Sequence, residues 1–344
     1  MQLEIIKPDD WHVHFREGEM LRLAMPQTVK NFARAVVMPN LLNPITSIQD
    51  VINYKKMIEN EIPEYNNFVP LMTVYLTEDI NIKEIIEGYK NKIIFGAKLY
   101  PAGVTTNSNS GINNISKIIP MLEAMAKIGM PLLIHGETNH PNIDIFDKEK
   151  YFIDNVLVDL ISEIPDLKIT LEHITTKDAV DYVRDSKNRL AASITPHHLA
   201  LNRNAMFKSG IRPHYFCLPI LKRERHRLAL LEAATSGDRC FFLGTDSAPH
   251  HRKLKENICG CAGIFNSPNA IEIVTQIFEN SKSIEKLESF VSVNGSIHYE
   301  LNINKEKIIL KKSDEELFFD NSIKFGREEV AVFQPEFPVY WYIQ

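Results

Sequence analysis

Short apolar segments recur along the chain, and each ends in polar residues. Eight of them can be counted, and apolar residues at spacings of three and four fill several of the stretches between them. Segments this apolar are typical of strands that are buried on both faces of a parallel sheet. The eight predicted strands are WHVHF (11–15), ARAVVMPN (33–40), FVPLMTVYL (68–76), IIFGAKLYP (93–101), MPLLIHGE (130–137), LKITLEHIT (167–175), LAASITPHH (190–198) and CFFLGTDSAPH (240–250).

Helical spacing is clearest over residues 44–62, 113–129 and 224–237. Eight alternations of strand and helix predict an α/β fold, a (β/α)8 TIM barrel. The competing doubly wound open sheet usually has fewer strands and a glycine-rich nucleotide-binding turn, and neither G-x-G-x-x-G nor G-x-x-x-x-G-K-[ST] occurs. We expect residues 1–344 to form a single barrel domain, with residues 301–344 as a C-terminal extension that packs on the barrel.

Composition narrows the class of protein. The 344 residues are 44% hydrophobic and 24% charged, and the formal net charge is −5. This charge favours neither a nucleic acid nor an anionic membrane as a partner, and no apolar run approaches the roughly 20 residues of a membrane span. The N-terminal stretch does not resemble a signal peptide, and four cysteines do not make a disulfide framework. We therefore expect a cytoplasmic protein.

Residue types that bind metals follow the predicted strands. The C-terminal ends of barrel strands carry the chemistry in this fold. His12, His14, His135, His173 and Asp246 all fall there, and neutral imidazoles with a carboxylate suit Zn²⁺ or a similar divalent ion. A lone histidine at a strand end is more often structural, but five such residues spread over four predicted strands favour a metal site at this end of the barrel.

The first of these segments also predicts how its side chains divide. In a strand, residues two apart face the same side. His12, His14 and Arg16 are then expected on one face, and Trp11, Val13 and Phe15 on the other.

Lys98 lies at the end of a buried strand, in the segment FGAKLYP. One interpretation is a lysine whose amine reaches solvent at the rim of the barrel. The other is a desolvated amine, because burial and a nearby metal both disfavour the ammonium form. A neutral amine can react with CO₂ to give a carbamate, and the two oxygens of a carbamate can bridge two metals. The neighbouring metal-binding residue types favour the second interpretation.

Nine blocks of the sequence resemble the dihydroorotases of the shorter bacterial type, within the amidohydrolase superfamily. They extend from about residue 7 to about residue 295, and the resemblance is weaker over residues 301–344. The blocks are PDDWHVHFR, VVMPNL, AKLYPAGVTTNS, GMPLLIHGE, EHITTKDA, ITPHHL, RPHYFCLPILK, FLGTDSAPH and CGCAGIFNSPNA.

This resemblance implies two Zn²⁺ ions per subunit. His12, His14 and Asp246 would hold the more buried ion, and His135 and His173 the other. Lys98, carboxylated on its amine nitrogen, would bridge both ions together with a hydroxide. The implied activity is reversible hydrolysis and cyclisation between L-dihydroorotate and N-carbamoyl-L-aspartate in de novo pyrimidine biosynthesis. The hydroxide would attack the ring amide, and Asp246 would shuttle the proton to the leaving nitrogen.

The resemblance also implies a substrate pocket. A bidentate guanidinium fork suits a carboxylate, and Arg16 would bind that of the substrate with Asn40 and His250. Main-chain groups of Leu218 and Ala262 would contact the edge of the ring. Thr105 and Thr106 would close over the open-chain substrate from the loop at residues 102–108. A homodimer is the implied assembly.

Two other functions remain open at this stage. Hydantoinases, dihydropyrimidinases and allantoinases share the metal pattern, but they lack the carboxylate-binding set of Arg16, Asn40 and His250 and usually carry an added β-sandwich. A catalytically inactive homologue that serves in assembly would have lost metal ligands, and this chain keeps them. The pair His197 and His198 and the Cys259–Cys261 motif are expected to be structural.

Overall fold

The computed structural model describes residues 1–64, 66–186 and 189–344. After β1 (Gln2–Ile6), eight strands form one parallel sheet in which each strand pairs with the next along the chain, so the predicted (β/α)8 barrel is confirmed. The eight strands are β2 (Asp9–Val13), β3 (Arg34–Val37), β4 (Val69–Tyr75), β5 (Gly96–Leu99), β6 (Leu132–His135), β7 (Ile169–Glu172), β8 (Leu190–Ile194) and β9 (Phe241–Leu243). Seven of the eight apolar segments contain one of these strands, and the first segment, residues 11–15, overlaps the end of β2.

The barrel closes where the chain beyond β9 meets β2. The amide of Asp246 donates to the carbonyl of His12 at 2.9 Å, and the amide of His14 donates to the carbonyl of Ser247 at 3.0 Å. These bonds place the histidines of the first barrel strand directly beside the residues that follow the eighth.

Helices follow most of the strands. The three stretches with helical spacing contain α2, α4 and α9, as expected, and Ser47 caps α2 in a capping box with Asp50. The helices are α1 (Gly18–Asn31), α2 (Ile48–Glu59), α3 (Ile82–Lys90), α4 (Ile119–Ile128), α5 (Lys148–Phe152), α6 (Val158–Glu163), α7 (Lys177–Asp185), α8 (Pro196–Ala200), α9 (Glu224–Thr235), α10 (Arg252–Lys255), α11 (Ala270–Asn280) and α12 (Asn294–His298).

The apolar core has an inner and an outer part, and Trp11 does not lie where strict alternation puts it. Val13 and Phe15 belong to the large cluster between strands and helices. Trp11 instead belongs to the inner cluster and packs on Phe242 and Tyr299. The pairing register of β2 with β3 shifts between Asp10 and Val13, and this irregularity turns Trp11 inward. The predicted face of Trp11 is therefore wrong.

The C-terminal extension forms sheet structure with the N-terminus. β10 (Lys307–Lys312) lies between β1 and β13 (Trp341–Ile343) in an antiparallel sheet, and β11 (Ser322–Phe325) pairs with β12 (Glu328–Ala331). The amide of Phe333 donates to the carbonyl of Phe265 at 2.8 Å, which ties the extension to the chain beyond β9. The division into one domain with an extension at 301–344 stays a prediction. None of the helices described is long and apolar enough to span a membrane.

Candidate active site

A small enclosed cavity lies at the C-terminal ends of the barrel strands. Its volume is about 20 Å³, which is room for about one water molecule. Of the thirteen predicted site residues, eleven line it, while Lys98 is buried beneath and His250 lies behind Arg16. The lining contains His12, His14, Arg16, Asn40, Thr105, Thr106, His135, His173, Leu218, Asp246 and Ala262, together with Tyr100, Ala248 and Gly263.

Three potential metal ligands meet on one side of the cavity. The Nε2 atoms of His12 and His14 are 3.2 Å apart, and Asp246 Oδ1 lies 3.4 Å from the first and 3.1 Å from the second. Burial lowers the pKa of His14 to about 3, so the ring is neutral. Burial alone would raise the pKa of Asp246, but the hydrogen bond from His14 and the nearby His12 hold that pKa well below its usual range. The group thus offers the neutral imidazole of His14, the imidazole of His12 and an ionised carboxylate.

This donor set fits a divalent ion. In a tetrahedral zinc site with bonds of about 2.0–2.1 Å, neighbouring ligand atoms are about 3.3 Å apart, close to the three separations here. Imidazole nitrogens and a carboxylate oxygen are also ligand types that Zn²⁺ prefers. These residues could therefore hold a metal ion without rearrangement of the backbone.

A second group of possible ligands adjoins the first. The rings of His135 and His173 are 4.8 Å apart, and the rings of His12 and His173 are also 4.8 Å apart. His135 Nε2 lies 2.9 Å from Glu137 Oε2, which orients the ring and leaves Nδ1 available to a ligand. The Nδ1 atom of His173 is buried and has no hydrogen-bond partner among residues 1–64, 66–186 and 189–344. Burial lowers the pKa of both rings and keeps them neutral.

Lys98 is fully buried on the inner face of β5, so its amine does not reach solvent at the rim. Its Nζ pairs with Glu172, whose other oxygen lies 2.9 Å from His12 Nδ1. Burial lowers the pKa of Lys98, and the charge of Glu172 opposes this effect. The side chain therefore lies next to both ligand groups, in an environment that disfavours its charged form.

Two acidic residues of the site were missed in the sequence. Glu172 is the last residue of β7 and is buried with its neighbour His173, and Glu137 follows β6. Burial raises the pKa of Glu172, but His12 and Lys98 outweigh it and the net pKa is lowered. An acid at the end of an otherwise apolar strand was the available signal. The sequence prediction did not include Glu172, because it took only the adjacent His173 as a ligand.

Arg16 lines the same cavity, and His250 lies beside it. Arg16, three residues after the end of β2, adopts a left-handed backbone conformation with φ of 64°. Its Nε donates to the carbonyl of Pro249 at 3.3 Å, and Nη2 lies 3.1 Å from His250 Nε2. Burial and the adjacent Arg16 lower the pKa of His250 to about 2, so this histidine is neutral. The guanidinium is thus the positive charge of this pair.

The loop at residues 102–108 covers the cavity. Asn40 Nδ2 donates to the carbonyl of Thr106 at 3.0 Å, and Thr106 Oγ1 lies 3.5 Å from the carbonyl of Ala262. Asn107 Nδ2 donates to the carbonyl of Asn40 at 3.1 Å. Because these contacts leave little free volume, the loop has to move outward before a ring-sized ligand enters.

His197, His198 and Cys217 form a third cluster of metal-binding residue types. His198 is already engaged, with Nδ1 2.8 Å from Thr195 Oγ1 and Nε2 3.0 Å from the carbonyl of Pro219. Burial raises the pKa of Cys217 to about 12, so its sulfur is a protonated thiol. Metals bind the thiolate, and this cluster therefore agrees with the structural role expected for the two histidines.

Glu149 organises the turn that carries His173. It is buried at the start of α5 and accepts hydrogen bonds from the main-chain amides and hydroxyls of Thr175 and Thr176. The turn holds His173 at φ of 42°, which a non-glycine residue seldom adopts. The carboxylate thus fixes the direction of a potential ligand that it does not touch.

Replacing Glu149 with glutamine is expected to lower the free energy of unfolding by about 2–3 kcal/mol, because the amide presents donors to donors in a buried site. Urea denaturation of the two proteins checks this. Glu163→Gln, an exposed change at the end of α6, is the matched control and should leave the midpoint unchanged. Equal midpoints for all three proteins would contradict the role of Glu149.

Comparisons with known proteins place this site in context. The sequence profile described as the amidohydrolase family matches residues 5–312. The chain is 52% identical over 339 residues to the dihydroorotase of Agrobacterium fabrum, covering 98% of each protein. The resemblance therefore continues through the C-terminal extension, where the sequence analysis predicted a weaker one.

Solved structures give the same result. The crystal structure of Saccharomyces cerevisiae dihydroorotase in complex with 5-fluoroorotic acid superposes with a TM-score of 0.92 at 34% identity, covering 100% of this chain and 98% of that one. The hydantoinase of Arthrobacter aurescens superposes with a TM-score of 0.78 at 14% identity, covering 93% and 78%. At that identity the second likeness concerns the fold alone.

Proposed function

Since the chain belongs to the amidohydrolase family and, within it, to the dihydroorotases, we propose that its site interconverts L-dihydroorotate and N-carbamoyl-L-aspartate by the steps given below. The observation that carries the proposal is one cavity whose lining combines two unlike groups. His12, His14 and Asp246 offer metal ligands, and Arg16 offers a guanidinium. A cyclic amide with a carboxylate substituent matches both groups at once.

Two Zn²⁺ ions would be held by the two ligand groups, the first by His12, His14 and Asp246 and the second by His135 and His173. Lys98, as its carbamate, would bridge them. The buried amine supports this, because burial lowers the pKa of Lys98 and so increases the share of the neutral form that reacts with CO₂. When bound, such ions lower the pKa of water and polarise the carbonyl of a ring amide, which is otherwise a poor electrophile.

Asp246 is the proposed proton carrier. Its low pKa keeps the carboxylate ionised at neutral pH, so an oxygen is available to accept the proton of the attacking water. The same carboxyl group then donates that proton to the ring nitrogen as the carbon–nitrogen bond breaks. In the biosynthetic direction, Asp246 takes the proton from the ureido nitrogen and returns it to the oxygen that leaves as water.

The remaining predicted residues bind and enclose the substrate. Arg16 would bind the carboxylate of the substrate by a charge-assisted fork, with Asn40 and neutral His250 as further hydrogen-bond partners. Main-chain groups of Leu218 and Ala262 would contact the ring edge. The carboxylate requirement distinguishes this pocket from one that accepts hydantoin or dihydrouracil, and it argues against the hydantoinase alternative.

Thr105 and Thr106 would close the site during turnover. The loop that carries them already contacts Asn40 and Ala262, and closure over bound substrate would exclude water from the reacting atoms. We further propose that the protein acts as a homodimer, as the family resemblance implies. We also propose that it is cytoplasmic and has no nucleic-acid or membrane partner, on the basis of its composition and charge.

The proposed function is tested by turnover of the purified protein. Ring opening of dihydroorotate and closure of carbamoyl aspartate are followed by absorbance, with the metal content measured on the same preparation. We expect turnover in both directions and about two zinc ions per chain. A protein that holds metal but opens only hydantoin or dihydrouracil would overturn the substrate assignment.

Replacing Arg16 with methionine is expected to raise KM for dihydroorotate about tenfold to hundredfold, since a charge-assisted bond to the carboxylate is lost. Steady-state kinetics check this. Arg22→Met, an exposed change in α1, is the matched control and should leave KM unchanged. If Arg16→Met also left KM unchanged, the carboxylate would have to bind elsewhere.

A further inference from the structure

Lys255, the last residue of α10, is a buried cation outside the ligand groups of the site. Its relative exposure is 3%, and its Nζ donates to the carbonyls of Phe216 at 2.8 Å and Gly263 at 2.6 Å. Among the residues that the structure describes, no carboxylate oxygen lies within 4.0 Å of this nitrogen. Burying an ammonium group costs free energy, so packing alone does not explain why Lys255 is placed against these two carbonyls.

The two carbonyls belong to two separate segments that meet at the substrate cavity. Phe216 lies two residues before Leu218, and Gly263 follows Ala262 directly. The carbonyl of Phe216 also accepts the amide of Gly263 at 3.0 Å. Lys255 and this amide therefore join the two segments at one point, next to Leu218 and Ala262 in the lining of the cavity.

This junction fixes the direction of the peptide group between Ala262 and Gly263. That peptide is trans, so its amide and its carbonyl point in opposite directions. Because the amide of Gly263 points at Phe216, the carbonyl of Ala262 points the other way, toward Thr106 Oγ1 at 3.5 Å. A main-chain acceptor is thereby presented on the cavity side.

The segment has little freedom to move. A Cβ added to Gly263 would lie 2.5 Å from the carbonyl oxygen of Ala248 and 2.8 Å from the ring of His250. Burial lowers the pKa of Lys255 to about 8, so the ammonium still predominates at pH 7. The contact between Lys255 and the two carbonyls is thus charged at pH 7, and the segment around Gly263 is closely packed.

We propose that Lys255 is a positioning residue, whose ammonium holds the Phe216–Leu218 and Ala262–Gly263 segments at the separation at which their main-chain groups bind the ring edge of the cyclic substrate. The inference rests on the proposed function, and it adds a residue that touches neither the substrate nor a metal ligand. The compact ammonium suits the place, since it donates to several carbonyls without the planar fork of arginine.

The test compares Lys255→Met with Lys253→Met. Methionine keeps the length of the side chain and removes its donors, and Lys253 is exposed on the same short helix. We expect Lys255→Met to raise KM for dihydroorotate about tenfold to hundredfold while kcat changes by less than about threefold, because the lost interaction serves ground state and transition state alike. Zinc content should stay at the wild-type value.

Lys255→Gln provides a graded comparison, because its amide keeps donors on a shorter stem, and its KM should lie between those of wild type and Lys255→Met. A KM of Lys255→Met equal to that of Lys253→Met would overturn the inference. So would a Met variant that fails to fold, or one that loses kcat in proportion to zinc, since each assigns Lys255 a purely structural role. If wild type and Lys253→Met do not turn over dihydroorotate, it is the proposed function that fails instead.

Discussion

Replacing Lys98 with alanine is expected to lower kcat/KM for dihydroorotate at least about a thousandfold and to release most of the bound zinc. The physical reason is the position of the amine. It is fully buried at the junction of the two ligand groups, where a carbamate would supply an oxygen to each ion. Without it, two cations would face each other with less anionic charge between them. Kinetics and metal analysis on one preparation measure both effects.

The control for this change is Lys117→Ala. Lys117 is exposed and pairs with Glu78 on the surface, so its removal should alter neither activity nor metal content. A Lys98→Ala protein that keeps two zinc ions and near-normal turnover would contradict the bridging role. A Lys98→Ala protein that keeps zinc but loses turnover would support the location of the active site and would show that Lys98 is not a metal ligand.

Replacing Asp246 with asparagine is expected to lower kcat by about a thousandfold or more in both directions, with a smaller change in KM. Asparagine keeps an oxygen that can contact a metal but cannot carry the proton at neutral pH. Steady-state kinetics in both directions, with zinc content, separate these two duties of Asp246. A loss of zinc in parallel with kcat would assign the effect to metal binding.

Asp166→Asn is the control for that substitution. Asp166 is exposed in the turn that leads into β7, at the opposite end of the barrel, and the same chemical change there should be silent. If Asp246→Asn lowered kcat in one direction only, a shared proton carrier would be contradicted, because the forward and reverse paths cross the same transition state.

The strands and the residues at their ends could be predicted because local sequence determines both. Fully buried strands leave a continuous apolar signature, and the fold places their C-terminal ends together. Local periodicity did not reveal the register irregularity that turns Trp11 inward, since this depends on pairing with β3. The same holds for the pairing of β1 with β10, whose partners are some three hundred residues apart along the chain.

Partner-dependent features of the site were equally hidden. Glu172 is informative only beside Lys98 and His12, and these three residues come from different strands. In the sequence, Lys255 is one of three basic residues in the segment RKLK. Its burial against two carbonyls is a property of the tertiary structure. Contacts of this kind depend on distance in space, which a single sequence does not contain.

Closure of the barrel between His12 and Asp246 bears on when the protein can take up metal during its synthesis. The ligand group His12, His14 and Asp246 is split between the first and the eighth barrel strands, so a nascent chain shorter than about 250 residues lacks a complete group. Capture of the ion proposed for this group should thus be a late event that follows ring closure. A bound ion stabilises only the closed barrel. The availability of zinc should therefore determine how often the barrel of a newly made chain opens again and becomes accessible to proteases.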